Sequence, residues 1–217
     1  MAVESLLASL YKTERTLRAL HAEITELPAE QLYPALESHG RAALAAIEED
    51  REEASLRLTR LATLLGTGPT AEPAASKRVD LLIDIVNCDL PEARLTAGEV
   101  LQGLAEDRFK EVALGVERAL ERLPADAPAL IELPYLMAEF ADAGAAKLIS
   151  KFLTHKETEV VAAAIEALAE LGDPSAISAL KPLEKDGRHV VVEEEDERVT
   201  LGTLASEAIA ILREAGA

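Results

Sequence analysis

Residues 156–183 read KETEVVAAAIEALAELGDPSAISALKPL, and this stretch decides the fold. Gly172 follows a helical run and suits the left-handed conformation that closes a helix. Asp173 can then cap the next helix, and Pro174 fits its first position, where no intrahelical N–H is needed. Ala162, Ala163, Ala164, Ala167 and Ala169 give the first helix a face of small side chains, so neighbouring helices can approach closely. The segment therefore predicts two helices, 157–171 and 174–186, folded as a hairpin.

Working outward, the same signals recur. Glu92-Ala93-Arg94 opens a helix 67 residues earlier, continuing through Ala97, Leu101 and Leu104. Glu139-Phe140-Ala141-Asp142 parallels Glu170-Leu171-Gly172-Asp173 at an offset of 31, and Ser206–Gly216 parallels Ala162–Gly172 at an offset of 44. Amphipathic helices pair as 77–89 with 92–106, 108–123 with 128–142, 145–154 with 157–171, and 174–186 with 200–215. Units of about 31 to 34 residues, with one insertion, are the signature of a helical repeat array.

On these residues the chain resembles the HEAT-repeat family, especially the short bacterial type found also in phycobilisome-lyase-like proteins. The resemblance covers residues 77–217. It implies an all-α, HEAT-like α-solenoid of about four helical hairpins, with partners bound along a concave face lined by the second helix of each pair. Arg94 stands at the family's repeat arginine, whereas the matching position in the best unit is Val161. Pro134 falls inside a helix and is expected to bend it.

Residues 1–65 lie outside the resemblance. A heptad places Val3, Leu10, Leu17 and Ile24 on one seam track and Leu6, Thr13, Leu20 and Leu27 on the other. Pro28 ends that helix. A second helix is expected from Ala29 to Leu65, its apolar positions Leu32, Ala43, Ala54 and Leu65 recurring every eleven residues, with Leu36, Ile47 and Leu58 beside them. Together they predict a long N-terminal antiparallel helical hairpin with an apolar flank left over. That flank docks on the rest of the chain or makes a homodimer through Val3, Leu6, Leu10, Leu17, Leu20 and Ile24. Residues 66–76 (GTGPTAEPAAS) have the composition of a linker. The domain expectation is thus 1–65, a linker at 66–76, and a repeat domain at 77–217.

The insertion at 186–200, DGRHVVVEEEDERVT, interrupts the last hairpin. Val190-Val191-Val192 favours extended backbone. Val199-Thr200 can return as a second short strand, with an acidic tip at Glu193, Glu194, Glu195, Asp196 and Glu197. That tip covers the end of the repeats or meets a basic partner. Glu159, Glu166 and Arg94, on helices assigned to the concave face, complete the candidate partner-binding set.

Composition narrows the function classes. The chain carries 22 Lys+Arg against 40 Asp+Glu, a net charge of −18, which repels nucleic acid and anionic lipid and favours a basic protein partner. Residues 77–217 alone hold 15 basic and 28 acidic residues, opposing the cationic groove of a HEAT-like glycosylase. The single Cys88 excludes an internal disulfide, and no apolar run approaches the roughly 20 residues of a membrane span. A cytoplasmic location is expected. His21, His39, His155 and His189 are scattered, and no pair has zinc-ligand spacing. His155 is followed by Lys156, against the His-Glu pairs of iron-holding HEAT-like hydroxylases. Cys88 lies between Asn87 and Asp89, which disfavours a thiolate, and His39 reads as a partly buried structural residue. No metal or other cofactor is expected. The leading expectation is a non-catalytic interaction scaffold, with a lyase-like accessory enzyme and a chaperone-like binder of basic clients as alternatives.

Overall fold

Pro91 starts a helix, α5 (Pro91–Arg122), and Arg108 breaks it with φ −139° and ψ 41°. The break falls where the sequence separates 92–106 from 108–123. Before α5 come α1 (Ala2–Leu10), α2 (Ala29–Ala45), α3 (Arg51–Thr67) and α4 (Ala74–Val86). After it come α6 (Pro128–Ala138), α7 (Ala145–Ile149, continued as a 3-10 turn over Ser150–Thr154) and α8 (Thr158–Leu171). Then follow a 3-10 turn (Pro174–Ala176), α9 (Ile177–Leu180), a second 3-10 turn (Lys181–Lys185), strands β1 (His189–Val192) and β2 (Glu197–Thr200), and α10 (Leu201–Ala215). This is a computed structural model, and it describes residues 2–10, 24, 26–67, 74–140, 144–192 and 197–215. The chain groups into two compact units, Met1–Ala119 and Leu120–Ala217.

In the first unit α2 packs on α1, α3 and α4. Leu32, Leu36, Ala43, Ala54, Leu58 and Leu65 are all buried, while Ile47 is half-buried, so the eleven-residue stripe does form a core face. The single helix expected from Ala29 to Leu65 is corrected to two, separated by a turn at 46–50. The physical reason is Asp50, whose Oδ1 accepts the Glu53 N–H at 3.0 Å. A side chain that caps a new helix start competes with continuing the old one. α3 runs on to Thr67 and α4 begins at Ala74; the remainder of the 66–76 segment lies outside the described residues, as do Leu17, Leu20 and His21. Ile24 is fully buried, Val3 and Leu6 are half-buried, and Leu7, off the predicted seam, is fully buried.

α4 and α5 approach closely at Gly115, where an added Cβ would lie 2.1 Å from Val79 Cγ1. Charge pairs span the same elements. Arg118 Nη2 meets Asp80 Oδ1 at 2.8 Å and donates to the Ser76 carbonyl at 3.2 Å. Arg78, only 1% exposed, reaches Glu111 Oε1 at 3.4 Å, and Arg108 Nη2 meets Glu111 Oε2 at 2.5 Å. Tyr33 sits against this cluster, and burial pushes its phenol up while Arg78 opposes the shift.

In the second unit α8 packs on α6 and α10. Ala162, Ala163, Ala164 and Ala167 are buried and Ala169 is half-buried, as the small-residue face predicts. Gly172 closes α8 at φ 70°, ψ 14°, and Asp173 Oδ1 accepts the Ser175 N–H at 2.9 Å. The helix expected at 174–186 is interrupted instead: α9 ends at Leu180, and Pro182, lacking an N–H, sits in a 3-10 turn. α6 keeps buried Pro134 inside it but ends at Ala138, short of the expected residue 142.

The predicted hairpin is present: β1 and β2 pair antiparallel, Val190 opposite Val199 and Val191 opposite Arg198. A single two-stranded ribbon is marginal by itself, and its root is fastened. Arg188 Nη2 pairs with Asp186 Oδ2 at 2.8 Å, while Arg188 Nη1 donates to the carbonyls of His155 at 3.2 Å and Lys156 at 3.3 Å. Leu201 N–H returns to the Arg188 carbonyl at 2.9 Å and Gly202 N–H to that of Asp186 at 2.9 Å. The hairpin therefore leaves the unit from a fixed position. Glu193, Glu194, Glu195 and Asp196 lie outside the described residues, and Glu197 contributes backbone to β2.

Candidate interaction surface

Glu159 and Glu166 lie seven residues apart on α8, and Glu170 lies one turn beyond Glu166, so three carboxylates share an exposed ridge. The buried side of α8 is apolar and held by the core, which fixes where this ridge points. On α6 the corresponding outward positions are Ile131, 37% exposed, together with Glu132 and Tyr135. The Tyr135 hydroxyl donates to Glu166 Oε2, joining the two helices. Burial pushes the Tyr135 phenol far above its usual range, the bond to Glu166 adds to this, and the Glu170 and Glu132 charges raise it further. The phenol stays protonated and donating across the working pH range. The patch therefore combines a neutral donor, an aromatic ring and a row of exposed carboxylates on α8.

Of the sequence candidates, Glu159 and Glu166 share this surface. Arg94 does not: it is half-buried on α5 in the first unit, where its charge acts on Asp89 and Cys88. Tyr135, Glu132 and Glu170 were not among the candidates. Tyr135 precedes Glu166 by 31 residues, the same offset that relates Glu139 to Glu170, so equivalent repeat positions become neighbours across adjacent helices.

The residues with chemical potential elsewhere are engaged structurally. Cys88 is buried, and burial pushes its thiol up, away from a reactive thiolate. His155 is half-buried, its Nδ1 accepts the Glu157 N–H at 3.2 Å, and burial lowers its pKa. His39 is half-buried on α2. Among the described residues no group of three His, Cys, Asp or Glu side chains is placed to hold a metal ion, and no helix is long and apolar enough to cross a membrane.

Successive helical hairpins, a buried alanine face and the Gly-Asp-Pro junction define a helical-repeat protein. The chain belongs to the HEAT-repeat family: the family model described as HEAT repeats matches residues 79–195, more than half of it. Its fold class is all-α and HEAT-like. No curated protein matches the chain. Solved structures similar to it include an engineered protein at 21% identity, covering 99% of this chain and 98% of that one with a TM-score of 0.35. A computationally designed armadillo repeat protein for modular peptide recognition is 14% identical, covering 96% and 99% with a TM-score of 0.35. Another designed armadillo repeat protein is 13% identical, covering 97% and 99% with a TM-score of 0.37. At that level of likeness these structures do not bear on function.

Proposed function

We propose that the chain is a non-catalytic protein-interaction scaffold whose acidic α6–α8 surface takes a basic segment of a partner protein. The observation that carries this reading is the Tyr135–Glu166 bond with the exposed Glu170 one turn beyond it on α8. Like charges one turn apart on a helix repel, by about 0.2–0.5 kcal/mol per pair. An incoming Lys or Arg relieves that repulsion and gains a ring face beside it. The net charge of −18 adds long-range attraction for the same class of partner. On this reading the acidic residues 193–197 are a second contact for the same class of partner. Residues 1–65 serve self-association, and 77–217 carry the repeats. The scaffold acts in the cytoplasm.

Fluorescence anisotropy with a labelled lysine-rich peptide tests the reading. The intact protein is expected to bind it in a salt-sensitive manner, and Glu166→Gln with Glu170→Gln to weaken binding by roughly tenfold. Unchanged affinity in that variant removes the α6–α8 surface from the account. Light scattering tests the self-association part: Leu6→Glu with Leu17→Glu is expected to halve the mass of a dimer, and a wild-type monomer ends that proposal.

A further inference from the structure

The first unit contains an open groove of about 840 Å³, formed where α3 and α5 begin. Leu56, Leu90 and Pro91 give it an apolar wall, and Asp50, Glu52 and Glu92 line it with carboxylates. Leu56 is 37% exposed, and Leu95, one turn beyond Pro91 on α5, is 66% exposed, so apolar surface continues along the same helix. Arg51, the one cation among the described residues lining the groove, is already engaged, its Nη1 on Asp89 Oδ2 at 2.7 Å and its Nη2 on the Asp89 carbonyl at 2.6 Å. Glu53 is held by Arg57 at 2.7 Å. Glu52 and Glu92 form no ion pair with any described residue. Acidic residues at helix starts complement the helix dipole, which accounts for carboxylates here. It does not account for solvent-facing Leu56, Pro91 and Leu95 between them.

We infer that this groove is a second docking site, taking a partner segment that presents a bulky aliphatic side chain flanked by Lys or Arg. The aliphatic group covers Leu56 and Pro91, and the flanking cations meet Glu52 and Glu92. Charge complementarity decides the occupant. An acidic or purely apolar segment would leave both carboxylates beside an uncompensated surface, whereas a basic segment without the aliphatic residue would leave the wall wet. The inference rests on the chain being a protein-binding scaffold, but on a different surface and with a stricter demand than positive charge.

The test uses three labelled dodecapeptides with the full chain: one with a Leu-Leu pair between lysines, one with Ser replacing Leu, and one with Glu replacing Lys. The first is expected to bind at least roughly tenfold more tightly than either other. Leu56→Ser, and separately Glu52→Lys with Glu92→Lys, are each expected to lose that advantage, with circular dichroism showing unchanged helicity. All the substituted side chains are exposed, and unchanged helicity separates a loss of binding from a loss of folding. Equal binding of the Ser peptide, retained affinity in both variants, or no binding of the Leu peptide each overturns the proposal. Glu166→Gln with Glu170→Gln separates the two readings. It is expected to leave the Leu peptide's advantage over the Ser peptide intact, and loss of that advantage places the peptide on α6–α8 instead.

Discussion

In Met1–Ala119, segments distant in sequence are joined by charge: Arg118 with Asp80, Arg51 with Asp89, Lys77 with Glu37, and Arg78 with Glu111, which also pairs with Arg108 one turn away on the same helix. In Leu120–Ala217 the central helix α8 is instead met through alanines, and Arg188 fastens the hairpin root by hydrogen bonds to the His155 and Lys156 carbonyls. Small side chains let helices close on one another with little desolvation, so the second unit reaches its packing through volume. Around Glu111 the first unit pairs charges that packing has largely removed from water. Such pairs define a register but are sensitive to loss of one partner.

The difference can be broken most severely at Glu111. Glu111→Ala leaves Arg78 buried beside Arg108 without their shared carboxylate, and is expected to destabilise the protein by about 3 kcal/mol in urea unfolding. Arg78→Met, which removes the charge and keeps the volume, is expected to cost clearly less; an equal cost would mean that packing and not charge holds this cluster. Next comes Gly115→Ala, whose new methyl must displace Val79, at about 2 kcal/mol. A smaller loss, about 1 kcal/mol, is expected for Gly172→Ala in the second unit, since only the left-handed backbone at φ 70° is strained there.

The smallest effect is a pH dependence. Arg188 holds the Asp186 carboxyl below its ordinary range. A depressed carboxyl contributes stability that is complete above its unfolded value, near pH ~4, and fades as pH falls through the lowered value. Asp186→Asn is therefore expected to flatten the acid limb of the stability curve slightly below pH ~4, with little change in shape above it. A limb of unchanged slope would show that the hairpin root is held by the backbone bonds alone.

How much of this was legible in the sequence follows the same division. The second unit signals its construction locally: the alanine run, Gly172-Asp173-Pro174 and the triple valine each fix a conformation through their own backbone chemistry. The α8 face, the left-handed cap, the Asp173 capping bond and the β-hairpin were all readable for that reason. Pro182 could have been read the same way, as a residue that shortens the helix expected at 174–186, but the repeat pattern outweighed it. In the first unit the deciding contacts join residues 33 to 40 positions apart, such as Arg78 with Glu111 and Lys77 with Glu37. No local pattern marks which arginine meets which carboxylate. The turn at 46–50 was hidden because the eleven-residue stripe runs through it: both α2 and α3 bury their share of the stripe although the helix between them is broken. For the candidate surface, Glu159 and Glu166 were legible as outward positions. Tyr135 required noticing that one repeat length brings equivalent positions side by side.

The most direct test of the α6–α8 surface is a titration of the isotope-labelled full chain with decalysine, followed by amide chemical shifts. Localised shifts at Glu132, Tyr135, Glu166 and Glu170 that vanish with added salt are expected. Shifts spread evenly over the acidic surface, or none at these four residues, would contradict the proposal.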